Sequence, residues 1–178
     1  QLIDLMGGSI TVSSRLGQGT EFVLRLHFED AELPPKAEAA PKPHGEDILK
    51  GKRVLLCEDN HLNREIASTL LSSQGMQVDA AENGKIGVEK FASSAVGSYD
   101  IILMDIQMPL MNGYQAAEAI RGLLRPDAEK VPIVALTANA FEDDIRKAME
   151  AGMNAHLAKP IEPERLFLVI AKMLSAEQ

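Results

Sequence analysis

From Gly51 to its last residue, the sequence alternates five times between a short apolar run and a segment with helical character. The runs IILM at residues 101–104 and IVAL at residues 133–136 contain no polar position, as is typical of parallel strands covered on both faces. Five such β-α units predict an open, doubly wound α/β sheet with helices on both faces. We predict strands at residues 52–58, 77–82, 99–105, 131–137 and 154–159, and helices at about residues 61–74, 83–95, 112–124, 139–151 and 162–175.

The part of the chain before Gly51 has a different pattern. Residues 1–28 contain two β-rich runs, and the second run alternates apolar with mostly polar residues. This alternation predicts a β-hairpin with one apolar face, formed in its second strand by Phe22, Leu24, Leu26 and Phe28. Since a lone hairpin is marginally stable in water, we expect this face to need a further layer. Residues 29–50 hold four prolines and no apolar period, so we interpret them as a linker between residues 1–28 and a domain at 51–178.

Composition excludes several classes of function. The net charge is -8 and no block of lysine or arginine is present, which argues against binding to nucleic acid or to an anionic membrane surface. No apolar run approaches the length of a membrane span. The single cysteine, Cys57, excludes an internal disulfide framework and suits a reducing compartment. We therefore expect a cytoplasmic location.

Polar residues stand at the carboxyl ends of four of the predicted strands. Glu58 and Asp59 follow the first strand, Asp105 ends the third, Thr137 ends the fourth and Lys159 ends the fifth. Ligands of open parallel sheets bind at this edge. Three carboxylates placed together repel one another unless a cation lies among them, and Mg²⁺ is the cation that best suits an all-oxygen set. A metal ion, an ammonium group and a hydroxyl around one carboxylate suit phosphoryl transfer, with Asp105 as the nucleophile.

Residues 51–178 resemble a receiver domain of two-component signalling over their whole length. The motifs that carry the resemblance are LLCEDNHLNR with the acidic pair, IILMDIQMPLMNGYQ with Asp105, PIVALTANA with Thr137, and GMNAHLAKPI with Lys159. The resemblance implies a flavodoxin-like strand order, 2-1-3-4-5. It further implies that the domain takes a phosphoryl group from a phosphohistidine and either passes it on or uses it to regulate a kinase.

The resemblance also implies a role for each matching residue. Asp105 is the phosphoacceptor, Lys159 contacts the phosphoryl group, and Thr137 couples phosphorylation to a rearrangement. The peptide bond between Lys159 and Pro160 is expected to be cis. The implied Mg²⁺ ligands are the side chains of Glu58, Asp59 and Asp105 and the backbone carbonyl of Gln107.

Two positions depart from the pattern of the family. The acidic pair begins with Glu58 where the family more often has aspartate, so the longer side chain could ligate the metal through water or change its affinity. His156 stands where the family usually has tyrosine or phenylalanine, a side chain thought to move inward with the threonine. The imidazole could fill that pocket and make switching pH-sensitive. The alternative is an exposed histidine without a switching role.

The segment LIDLMGGSITVSSRLGQGTEFVLRLHF resembles the last helix and hairpin of the ATP-binding domain of histidine kinases. The order of kinase tail, linker and receiver is that of a hybrid histidine kinase. We expect no ATP binding by these residues, because the motifs that hold ATP are not among them. The expected partners are the kinase's own phosphohistidine domain and a histidine-phosphotransfer protein. Pairing with a second copy, and anchoring of the parent protein in the inner membrane, are left open.

Two rival functions use the same residues. A pseudo-receiver would bind partners without being phosphorylated, and the departure at Glu58 keeps this alternative open. A phosphoaspartyl hydrolase would also use a strand-end aspartate and Mg²⁺. Hydrolases of that class normally have a second aspartate two residues after the nucleophile, where this sequence has Gln107.

Overall fold

The computed structural model describes residues 8–15, 17, 19–25, 46–138 and 142–175. The chain divides into two compact units, residues 1–40 and 41–178. The predicted helix end before Gly8, the hairpin positions Leu26 and Phe28, and residues 29–45 of the predicted linker lie outside the described residues.

The first unit contains the predicted hairpin, formed by strands β1 (Ser9–Arg15) and β2 (Gly19–Arg25). The strands are antiparallel, with Ile10 opposite Leu24 and Val12 opposite Phe22. These four apolar side chains lie on one face because alternate residues of a strand point to the same side. Each of them is between half and two-thirds exposed.

The second unit contains a five-stranded parallel sheet, which confirms the predicted fold class. Its strands are β3 (Arg53–Cys57), β4 (Gln77–Ala81), β5 (Ile101–Asp105), β6 (Ile133–Thr137) and β7 (Ala155–Ala158). They pair in the order β4-β3-β5-β6-β7, which is the predicted order 2-1-3-4-5. The helices are α1 (Glu46–Leu49), α2 (His61–Ser73), α3 (Gly84–Ser93), α4 (Gly113–Arg121), α5 (Glu142–Glu150) and α6 (Pro163–Ser175).

Each face of the sheet carries its own apolar cluster. Ile102 and Met104 of β5 belong to the cluster that includes Phe91 of α3 and Ile120 of α4. The alternate residues of β5, at positions 101 and 103, belong to the cluster under α2 and α6. Every residue of β5 is therefore buried, which explains why its sequence shows no alternation.

Helix α1 lies inside the segment that the sequence predicts as a linker. Leu49 is buried and belongs to the same cluster as Leu166 and Leu174 of α6. The packed unit therefore begins ahead of Gly51, with Ile48 and Leu49 of α1. Among the described residues, no helix is long and apolar enough to cross a membrane.

A paired arginine ties the loop after α4 to the end of α3. The guanidinium of Arg125 forms a two-pronged ion pair with Asp127, at 2.6 Å for Nε–Oδ1 and 2.8 Å for Nη2–Oδ2. It also donates to main-chain carbonyls of Phe91 and Ala95, and it lies 4.5 Å from the centre of the Phe91 ring. The two paired side chains are only 11% and 14% exposed. One side chain therefore adds hydrogen bonds to carbonyl groups in the last turn of α3 and just beyond it.

We expect Arg125→Ala to lower the free energy of unfolding at pH 7 by about 3 kcal/mol, because it leaves the mostly buried Asp127 without its charged partner and removes a donor from carbonyls near the end of α3. Arg125→Lys should recover little of this loss, since an ammonium group cannot form the planar fork. Urea denaturation measures both changes. The exposed Lys85, which pairs loosely with Glu89, offers a control: Lys85→Ala should change stability by no more than about 0.5 kcal/mol.

The same ion pair stabilises the fold only over a defined range of pH. Hydrogen bonds from Arg125 lower the pKa of Asp127 from 3.8 to about 2. Because the folded pKa lies below the unfolded one, the pair stabilises the fold above about pH 4 and loses its contribution as the pH falls towards 2. Equal losses for Arg125→Ala and Lys85→Ala at pH 7 would contradict this account.

Candidate functional site

The polar residues predicted to lie at the strand ends meet at one edge of the sheet. Glu58 and Asp59 directly follow β3, and Asp105 is the last residue of β5. Thr137 is the last residue of β6, and Lys159 directly follows β7. Parallel strands place their carboxyl ends on the same side, so the sequence order of these residues becomes a spatial cluster.

Three carboxylates form the centre of this cluster. Oxygen atoms of Glu58, Asp59 and Asp105 all lie within 4.8 Å of one another. Glu58 and Asp105 are only 1% and 4% exposed, whereas Asp59 is exposed. Among these three residues, only Asp59 is open to solvent.

Lys159 bridges the two buried carboxylates. Its Nζ atom lies 2.5 Å from Oε2 of Glu58 and 2.6 Å from Oδ2 of Asp105. Burial lowers the pKa of Lys159, but its hydrogen bonds to Asp105 and Glu58 outweigh burial and raise that pKa above its usual value. For Asp105, burial raises the pKa, and the lysine opposes this only in part.

The donor set fits a divalent metal ion. Three carboxylates and one ammonium group leave an excess of two negative charges when all are ionised. Such an arrangement is unfavourable in a partly buried site unless a further cation is bound. Carboxylate oxygens within a few ångströms of one another are the ligands that Mg²⁺ prefers.

The loop after β5 turns sharply away from Asp105. The main-chain N–H of Gln107 donates to Oδ1 of Asp105 at 3.1 Å, and Gly113 N–H donates to the Ile106 carbonyl at 2.9 Å. Leu110 has a φ of 66°, in the left-handed region, and is highly exposed. A β-carbon on Gly113 would lie 2.2 Å from the Asp105 carbonyl oxygen. The loop can therefore return to start α4 only because residue 113 has no side chain.

Thr137 and His156 lie on the two strands beyond Asp105. Thr137 is buried, and its carbonyl accepts a hydrogen bond from the main-chain N–H of Lys159 at 2.7 Å. This bond joins the ends of β6 and β7. His156 is half-buried on β7, opposite Ala135. The peptide bond between Lys159 and Pro160 is cis in the structure.

Two further residues, Arg64 and Asn63, contact the acidic pair. Arg64 donates from Nη1 to the main-chain carbonyls of Glu58 and Asp59, at 2.7 and 3.1 Å. Asn63 donates from Nδ2 to Oε1 of Glu58 at 3.1 Å. The sequence feature that could have indicated these contacts is Asn60, which caps α2 directly after the acidic pair. A helix that begins there turns the side chains of its first turn back towards the loop.

A surface cleft borders the site on the side of α2. It is lined by Asn63, Ile66, Lys159, Pro160 and Ile161. Ile66 and its neighbour on the helix, Leu62, are half or more exposed. The site is thus flanked by an apolar surface.

Comparison with known proteins agrees with the fold. Residues 54–171 match the response regulator receiver domain. The chain belongs to this family. The chain is similar to parts of longer sensor proteins: the aerobic respiration control sensor protein ArcB of Escherichia coli K12 is 37% identical over 169 residues, or 94% of this chain and 20% of ArcB. The autoinducer 2 sensor kinase/phosphatase LuxQ of Vibrio parahaemolyticus is 36% identical, over 93% of this chain and 19% of LuxQ.

Solved receiver domains share the structure of the second unit. The receiver domain of the sensor histidine kinase PA1611 from Pseudomonas aeruginosa, solved with a magnesium ion coordinated in its active site cleft, is 35% identical with a TM-score of 0.64. The match covers 70% of this chain and 98% of that one. A chain from the complex of the Saccharomyces cerevisiae histidine phosphotransfer protein Ypd1 with the receiver domain of Ssk1 is 31% identical, with a TM-score of 0.63 and coverage of 72% and 92%. The chain spans about a fifth of the length of ArcB and LuxQ.

Proposed function

We propose that this receiver accepts a phosphoryl group from a phosphohistidine onto Asp105, as one step of a phosphorelay in a hybrid histidine kinase. The observation that carries the proposal is the buried carboxylate of Asp105 at the end of β5. It shares Lys159 with Glu58 and lies within 4.8 Å of the carboxylates of Glu58 and Asp59. A nucleophilic carboxylate with a cation beside it is the arrangement that phosphoryl transfer requires.

Glu58, Asp59 and Asp105 would hold Mg²⁺, together with the backbone carbonyl of Gln107. The excess negative charge of the cluster supports this assignment, as does the magnesium ion in the related PA1611 receiver domain. When bound, Mg²⁺ supplies positive charge to the phosphoryl oxygens.

The chemical step exchanges one bond to phosphorus for another. An oxygen of Asp105 forms a bond to phosphorus while the bond from phosphorus to the donor imidazole nitrogen breaks. The bonding electrons leave with that nitrogen, which takes a proton from water. Lys159 releases Asp105 and neutralises a phosphoryl oxygen, and Thr137 donates its hydroxyl to another. A phosphotransfer histidine or water then attacks phosphorus and regenerates Asp105.

Thr137 and His156 form the proposed switch. Phosphorylation adds a charge of about -1.5 to -2 at the end of β5. The hydroxyl of Thr137, on the neighbouring strand, moves towards that charge, and His156 on the next strand fills the space. The hydrogen bond between Thr137 and Lys159 supports this coupling, because it links the switch strand to the phosphoryl-binding lysine.

The donor and acceptor partners would dock over α2. The phosphohistidine comes from the kinase's own dimerisation helix or from a histidine-phosphotransfer protein. Leu62 and Ile66 support this surface, because they expose apolar area beside the cleft that leads to Lys159. The related Ssk1 receiver was solved in complex with such a phosphotransfer protein.

Residues 1–28 would be the tail of a kinase ATP-binding domain and residues 29–50 a linker, in a parent protein that works in the cytoplasm. The match to ArcB runs over 169 residues, more than residues 51–178 contain, so it includes part of this segment. The exposed apolar face of the hairpin also supports the assignment, because such a face needs a further layer to cover it.

The test is the intact mass of the chain after incubation with Mg²⁺ and acetyl phosphate as a small phosphodonor. We expect one phosphoryl adduct on the wild-type chain and none on Asp105→Asn. Asp143→Asn, which changes an exposed carboxylate on α5, should form the adduct normally. In NMR spectra of the adduct, the resonances of Thr137 and His156 should shift, and unchanged resonances would remove that residue from the switch.

The two rival functions predict different results. A pseudo-receiver would form no adduct on the wild-type chain. A phosphoaspartyl hydrolase would consume the donor over many turnovers without a lasting adduct. An adduct that persists in Asp105→Asn would place the phosphoryl group on another residue and contradict the proposal.

A further inference from the structure

The carboxylate of Glu58 is held from two sides. Its Oε2 atom accepts from Lys159 at 2.5 Å, and its Oε1 atom accepts from the side-chain amide of Asn63 at 3.1 Å. Glu58 is only 1% exposed, so bulk water has little access to replace either donor. Loss of one donor would leave a buried carboxylate oxygen with less hydrogen bonding than it needs.

Asn63 lies in the first turn of α2, and its side chain is not needed to begin that helix. The side chain of Asn60 caps α2 by accepting from the main-chain N–H groups of Leu62 and Asn63, at 3.0 and 3.2 Å. The cap fixes the backbone of Asn63 and leaves its amide group available for Glu58. A change of the Asn63 side chain can therefore alter Glu58 without removing the cap.

This contact gives a reason for glutamate at position 58. Aspartate is shorter by one methylene group, or about 1.5 Å of bond length. From the same backbone position, its carboxylate could not reach Asn63 and Lys159 together. The longer side chain of glutamate is needed for the carboxylate to contact both Asn63 of α2 and Lys159 after β7.

We propose that Asn63 is a positioning residue for Glu58, and that it tunes the Mg²⁺ affinity of the acidic cluster by holding the Oε1 atom of Glu58 while Oε2 pairs with Lys159. This inference rests on the proposed function, in which the cluster holds Mg²⁺. Without Asn63, Oε1 of Glu58 can also turn to Lys159, and the ion pair between the two side chains then competes more strongly with a metal ion. Partners of metal ligands typically change metal affinity by about 10- to 100-fold.

The first test measures Mg²⁺ affinity by isothermal titration calorimetry of the whole chain, without a phosphodonor. We expect Asn63→Leu, which removes the donor at similar size, to weaken binding about tenfold. In the Glu58→Asp background the same change should have almost no further effect, because aspartate does not reach Asn63. Asn63→Gln keeps an amide donor and should recover part of the affinity. Ser72→Leu, at an exposed position of the same helix, is the control and should bind normally.

The second test uses the chain without Mg²⁺, so that it does not depend on the proposed function. The side-chain amide resonances of Asn63 should shift in Glu58→Gln and in Glu58→Asp, and much less in Asp59→Asn. Unchanged resonances in both Glu58 variants would overturn the positioning role. Equal effects of Asn63→Leu in the wild-type chain and in the Glu58→Asp background would overturn the effect on affinity. A wild-type chain that bound no Mg²⁺ would contradict the proposed metal site, while the amide resonances would still decide whether Asn63 positions Glu58.

Discussion

A Gly113→Ala variant is expected to lose about 3 kcal/mol of stability and to take up phosphate much more slowly than the wild-type chain. The added β-carbon would lie 2.2 Å from the carbonyl oxygen of Asp105 and 2.9 Å from the α-carbon of Ile106. Both atoms belong to the backbone, so no side chain can rotate away. The end of β5 or the start of α4 must move, and overpacking of this kind is strongly destabilising.

The matched control is Gly122→Ala, at the other end of the same helix. A β-carbon there would be 3.4 Å from its nearest neighbour, the carbonyl oxygen of Glu118. We expect this variant to be close to wild type in urea denaturation and in the rate of adduct formation from acetyl phosphate. Similar losses in the two variants would show that the helix, and not the backbone of Asp105, responds to the added methyl group.

The sequence was sufficient for the parts of the fold that depend on long apolar runs. β5 and β6 are buried on both faces, so their sequences have no alternation and identify them as central strands. The short helix α1 was not predicted, because Ile48 and Leu49 are too few to show a period at the end of a proline-rich segment. Their burial depends on contacts with α6, which lies more than a hundred residues later in the sequence.

Some features of the candidate site could likewise be predicted from the sequence, and others could not. Glu58, Asp105 and Lys159 could be named from the sequence because each stands where a predicted strand ends, and topology brings strand ends together. The sharing of Lys159 between two carboxylates could not be predicted, since it depends on side-chain conformations across three strands. The left-handed conformation of Leu110 was also missed, because leucine gives no sequence signal for a positive φ. The chemical roles of these residues remain predictions.

The shared lysine leads to the second large prediction: Lys159→Met should bind Mg²⁺ at least tenfold more tightly and yet form the phosphoryl adduct about 100-fold more slowly. Lys159 now neutralises two of the three carboxylates. When Lys159 is removed, all three carboxylate charges are available to attract the metal ion. Two unit charges about 4 Å apart interact by about 4 kcal/mol at an effective dielectric constant of 20, and about 1.4 kcal/mol already changes affinity tenfold. The adduct forms slowly because one cation that stabilises the phosphoryl oxygens is lost.

Tighter Mg²⁺ binding and slower adduct formation are effects of opposite sign. A variant that merely failed to fold would lose both binding and adduct formation, so the pair of measurements distinguishes the two cases. Without Mg²⁺ the Lys159→Met variant should unfold at a lower temperature than the wild-type chain, because two buried carboxylates lose their shared partner. Added Mg²⁺ should raise its melting temperature more than it raises that of the wild-type chain, since tighter binding to the folded state gives greater stabilisation. Lys172→Met, at an exposed position of α6, should behave as wild type in calorimetry, melting and adduct formation. If Lys159→Met bound Mg²⁺ more weakly, the lysine would be supporting the metal site rather than competing with it, and the electrostatic account of this cluster would be wrong.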